Sequence, residues 1–177
     1  MRQFIVSALL TIMALFSASA ASAQTATQDI NLTATVASYC TIGGVTGPAA
    51  LSRTVAVTNG VVTVTPINIT VASVACNNTT NVIATSVSGG ITTGVAPVSG
   101  ATNIINYTGV ATFNGASSTI NTATVATAAA SEAGNTASAT GAATGNLTVT
   151  IMPVQPSLPL TPSVAYADTL RVTLTAQ

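Results

Sequence analysis

The runs "INITVASVAC" (residues 67–76) and "DTLRVTLTAQ" (168–177) place an apolar side chain at every second position. Ile67, Ile69 and Val71 alternate with Asn68, Thr70 and Ala72, and Leu170, Val172 and Leu174 alternate with Arg171, Thr173 and Thr175. Successive side chains of a strand point to opposite faces, so a period of two describes strands with one inward and one polar face. Similar stretches, bounded by Gly, Pro, Asn and Ser, fall at about 30–42, 53–58, 61–74, 81–88, 103–113, 145–152 and 168–176. That spacing, with no helical periodicity between, predicts an all-β sandwich or barrel. Thr, Val, Ala, Asn and Gly are abundant while the Leu, Glu, Lys and Arg that fill helices are sparse, which agrees.

Two connecting stretches have their own character. Pro153, Pro156, Pro159 and Pro162 cannot donate ladder hydrogen bonds and predict a stiff extended connection before the last strand. Residues 114–145 are low-complexity Ala, Thr, Ser, Gly and Asn; "ATAAASEA" could form a helical turn, but the surrounding Gly and Thr favour a weak strand plus a mobile loop.

Residues 1–23 read as a secretory signal, with Arg2 as its positive start, "FIVSALLTIMALF" as its apolar core and Ala21-Ser22-Ala23 as its cleavage site. This apolar stretch of 13 residues falls short of the roughly 20 that span a bilayer. Cleavage leaves 154 residues from Gln24 onward, the size of one domain.

Charge is nearly absent from that mature chain. Arg53 and Arg171 stand against Asp29, Glu132 and Asp168, a net charge of −1. This provides no basic footprint for nucleic acid and no polybasic patch for anionic lipid. With charged residues at 3% and hydrophobic ones at 48% of the chain, the surface lacks the charges that keep soluble β-proteins apart, and reads as one meant to be covered.

Catalytic chemistry finds few candidates. The chain has neither His nor Lys, so nothing activates its many Ser and Thr hydroxyls, and an enzyme is not expected. Asp29, Glu132 and Asp168 are expected to be solvated or, for Asp168, bonded to backbone near a strand start. Gly43-Gly44 and Gly89-Gly90 precede neither a Lys nor a helix and read as turns. No cofactor or metal site is expected. Cys40 and Cys76 are the only cysteines; an even pair in an exported chain argues for one disulfide rather than a two-ligand metal site.

At the front of the mature chain, "TQDINLTATVASYCTIGG" (27–44) carries Ile30, Leu32, Ala34 and Val36 in clean alternation, where tails normally fray. Alternation alone favours the plain reading that 27–38 is the first strand of its own domain.

The segments "ASYCTIGG", "INITVASVACNNTTNVIATSVSGG", "INYTGVATF" and "YADTLRVTLTAQ", in that order along the mature chain, resemble the spore coat protein U domain family, which includes the archaic (Csu-type) chaperone-usher pilins. One position departs: members often carry Gly two residues before the terminal-strand Tyr, where this chain has Val164. The resemblance implies an incomplete immunoglobulin-like β-sandwich over 39–177, completed by a strand donated from another subunit. Residues 24–38 would be that donor strand, with Ile30, Leu32, Ala34 and Val36 as plugs, and Leu170, Val172 and Leu174 would line the groove.

The same resemblance implies pilin subunits, a periplasmic chaperone and an outer-membrane usher as partners. The product would be a fimbrium at the cell surface serving attachment and biofilm formation. A tip adhesin, a spore coat subunit and a secreted sandwich that completes itself are the competing expectations.

Overall fold

The computed structural model describes residues 31–44, 51–124, 130–162 and 165–177. The expected signal peptide and Ile30 lie outside the described residues, as does Val164. Residues 36–177 make one compact unit, and its architecture is all-β.

Among the described residues thirteen strands follow one another: β1 (Cys40–Thr41), β2 (Val57–Thr58), β3 (Val61–Val62), β4 (Ile67–Cys76), β5 (Thr80–Ser86), β6 (Ile91–Thr92), β7 (Ile104–Ile105), β8 (Tyr107–Phe113), β9 (Ala116–Asn121), β10 (Glu132–Ala133), β11 (Ala137–Ala139), β12 (Ala143–Pro153) and β13 (Leu170–Ala176). The only helical turn among the described residues is a 3-10 turn at Thr122–Thr124. All the strand pairs are antiparallel.

A larger sheet runs in the order β1-β4-β12-β8-β9. In the smaller sheet β5 is central: β10 and then β11 pair with one edge, and β13 pairs with the other over its whole length, from Leu170 opposite Ser86 to Ala176 opposite Thr80. Two short hairpins, β2-β3 and β6-β7, stand apart. The first turns on Asn59-Gly60, both at positive φ (52° and 79°), the pair that a tight hairpin turn requires.

The inner faces of both sheets meet in one core. Alternate residues of β5 (Val82, Ala84), β8 (Tyr107, Ala111, Phe113) and β12 (Leu147, Val149) are buried together with Val74 and Ile120. Gly109 of β8 leaves room that Leu170 uses: a Cβ there would stand 3.3 Å from the Leu170 Cδ2 and 2.9 Å from Ile120. One bond of the core is covalent, the Cys40–Cys76 disulfide, which spans 36 residues and joins opposed residues of β1 and β4.

Several sequence expectations are corrected here. The stretch 30–42 is a strand only at Cys40–Thr41, and residues 31–39 belong to no strand. The stretch 61–74 is divided at Pro66, after which β4 begins; proline has no N–H for a ladder. The low-complexity region is more ordered than expected: residues 116–121 form β9, and 130–145 contribute β10, β11 and the start of β12. Small side chains weaken any hydrophobic pattern there, but neighbouring strands supply the pairing. The first half of "ATAAASEA", residues 126–129, lies outside the described residues.

Candidate functional site

Among the described residues, the two sheets are joined on one side and unjoined on the other. The joined side is a seam between β9 and β5. Ser118 Oγ accepts the Ala84 N–H at 2.9 Å and donates to the Asn135 carbonyl at 2.6 Å. Asn135 Oδ1 accepts the Thr119 N–H at 2.7 Å, and the Gly134 N–H reaches the Ala84 carbonyl at 2.8 Å. Gly134 is required by space: a Cβ would fall 2.4 Å from the Thr119 carbonyl oxygen.

On the other side β13 is the last strand of the smaller sheet, and among the described residues no strand pairs with its outer edge. Facing it in the larger sheet is β4, whose residues 67–72 pair, among the described residues, only with β12. Both edges carry apolar side chains on their core-facing sides. Leu170, Val172 and Leu174 of β13 and Ile69 and Val71 of β4 pack against the core yet remain only half-buried. Alternation makes this inevitable: a strand that finishes a core presents its inner side chains to whatever lies beyond its edge.

At one end the gap is closed. β1 pairs with the last residues of β4, and the Gly44 N–H reaches the Ser73 carbonyl at 3.3 Å. Here the lead-in to β1 is clasped: Asn77 Nδ2 donates to the Ala37 carbonyl at 2.8 Å while its Oδ1 accepts the Tyr39 N–H at 2.8 Å. Ser38 Oγ donates to the Gln177 carbonyl at 3.1 Å, and the Asn78 side chain donates to the same oxygen. Nothing in the alternation pattern signals this clasp; the one hint is the paired Asn77-Asn78 directly after Cys76.

At the other end stands a polar anchor. Asp168 Oδ2 accepts from Ser86 Oγ at 2.5 Å and from the Tyr107 hydroxyl at 2.6 Å; its Oδ1 accepts the N–H groups of Ser88 (3.0 Å) and Thr169 (2.7 Å). The expectation that Asp168 bonds backbone near a strand start is met, but its side-chain partners Ser86 and Tyr107 were not foreseen. Burial, and then the hydrogen bond to Asp168, hold the Tyr107 phenol above its ordinary ionisation range.

The anticipated tail residues are in a different condition. Leu32 is 90% and Val36 76% exposed, and Ala34 is exposed as well. Asp168, Glu132 and the cysteines do not gather into a cluster of three or more metal-ligating groups among the described residues. No family model, curated protein or solved structure matches the chain.

The Cys40–Cys76 disulfide fits a chain exported to an oxidising compartment. No helix among the described residues is long and apolar enough to cross a membrane.

Proposed function

We propose that this chain is the structural subunit of an exported surface fibre, an incomplete immunoglobulin-like sandwich finished by the amino-terminal tail of another copy. One observation carries the reading: two unfinished features of equal length. β13 is a seven-residue edge strand with half-buried Leu170, Val172 and Leu174, and residues 30–36 are a seven-residue alternating segment whose Leu32 and Val36 are left in solvent. Strand addition to an exposed sheet edge combines ladder hydrogen bonds with pockets for alternate side chains, and donor-strand complementation between pilins is one of its general modes.

Burying Ile30, Leu32 and Val36 in a neighbour's gap would contribute about 5 to 9 kcal/mol before ordering costs. Each added ladder bond contributes about 0.5 to 1.5 kcal/mol. One gap and one tail per copy make a heterologous contact that does not close, and such contacts propagate as fibres. On this reading a periplasmic chaperone covers the gap until an outer-membrane usher exchanges it for a tail. The sparse charge then belongs to a surface used for packing and attachment. A sandwich completed by its own tail draws no support from residues 31–39, which join no strand.

The test is Ile30→Asp in the exported chain. Export and the disulfide should be unchanged while heat-resistant multimers vanish from unboiled gels; multimers at the wild-type level would refute strand donation.

A further inference from the structure

The tail is joined to its own body by very little chain. Ala37, Ser38 and Tyr39 alone separate Val36 from Cys40, an extended reach of about 10 Å from Val36 to Tyr39. That reach is not free, because Asn77 grips Ala37 and Tyr39 and Ser38 is bonded to Gln177. A copy whose Val36 lies at the end of a neighbour's gap must therefore bring its disulfide end into contact with that neighbour.

Direction decides which end it meets. The disulfide end of the gap is already occupied by β1, which runs antiparallel to β4, and all pairs of named strands among the described residues are antiparallel. A tail antiparallel to β13 leaves the gap beside Leu170, at the end opposite the disulfide.

Beside the Asp168 anchor, that opposite end leaves several apolar side chains exposed. Val87 is 41%, Val95 56%, Val98 56% and Leu158 49% exposed. The loops bearing Val95, Val98 and Leu158 are tied together: the Asn103 side chain bonds the Val95 carbonyl, and the Thr102 N–H bonds the Pro159 carbonyl at 2.9 Å; the Val87 N–H bonds the Thr169 carbonyl at 3.0 Å, just before β13. At the disulfide end the exposed large hydrophobic side chain is Tyr39, at 47%. Apolar side chains exposed at one end of a fold are candidates for an interaction site, and aromatic residues such as Tyr are enriched among the anchors of such contacts.

We infer that the Val87–Val95–Val98–Leu158 end of each copy is the docking surface for the disulfide end of the next copy, with Tyr39 as its anchor. This rests on the strand-donation reading above and adds a second contact to it: end-to-end stacking that stiffens the junction between copies.

The test places the photo-reactive residue p-benzoylphenylalanine at position 39 of the full chain, in multimers assembled from isotopically labelled and unlabelled copies. After irradiation, cross-links between copies should map to residues 87–103 or 157–161, and the same probe at Val98 should map to 37–42 or 77–78. Multimers in which position 39 links to another copy's disulfide end, or to no copy, overturn the stacking and leave strand donation standing. Failure of the unmodified chain to form multimers removes both.

Discussion

Asp168 shows what a single charge does in a chain with so few. Its two oxygens take four donors, from Ser86, Tyr107, Ser88 and Thr169, so one carboxylate fixes the approach to β13 against β5 and β8. Removing the phenol in Tyr107→Phe deletes a hydrogen bond to a charged group, worth about 1.5 to 3 kcal/mol, and urea midpoints should fall accordingly. The same substitution has a pH signature. Tyr107 ionises in the unfolded chain near its ordinary value of 10.0, but later in the folded one. Its share of stability is therefore intact below about pH 10 and is lost as pH rises toward the folded value. Tyr107→Phe should flatten the decline of stability between about pH 10 and 11, measured by urea titration across that range. At the seam, Gly134→Ala drives a methyl into the Thr119 carbonyl. A cost of about 1 to 3 kcal/mol is expected from overpacking, read as a lower thermal midpoint. Breaking the disulfide with Cys40→Ser and Cys76→Ser together should cost roughly 3 to 4 kcal/mol in the chain-entropy model.

Among the elements, the strand-donation proposal gives β13 and the tail complementary roles. Leu32→Asp changes a side chain that is 90% exposed, so the stability of the chain's own domain should stay within about 0.5 kcal/mol while assembly is lost. Denaturation of chaperone-released subunits, beside unboiled gels, separates the two effects. The strands bearing this chemistry were legible because period-2 alternation is a strong signal in β4, β8, β12 and β13. Leu170, Val172 and Leu174 could be placed on one face before any coordinates. What alternation could not convey is which edge stays unpaired, since pairing partners are non-local. Nor could it reveal β10 and β11, whose Ala- and Ser-rich residues have too little apolar contrast to mark a face. The Asn77 clasp and the Ser118–Asn135 seam escaped for a related reason: isolated side-chain to backbone bonds have no period.

For the whole molecule, the asymmetry between a joined and an unjoined side is the central feature. The β9–β5 seam holds the sheets together, no strand among the described residues bridges β4 and β13, and the disulfide marks the end where β1 joins β4. Such a body is expected to be marginal alone and strongly stabilised by one added strand. The most direct measurement moves the tail: residues 24–36 are deleted and residues 27–38 are appended after Gln177 through a short Gly-rich turn, so that the strand can lie antiparallel to β13. The expected result is a chaperone-independent monomer that forms no multimers and melts well above the tail-deleted chain. An appended strand that leaves the melting temperature unchanged would contradict strand completion at this edge.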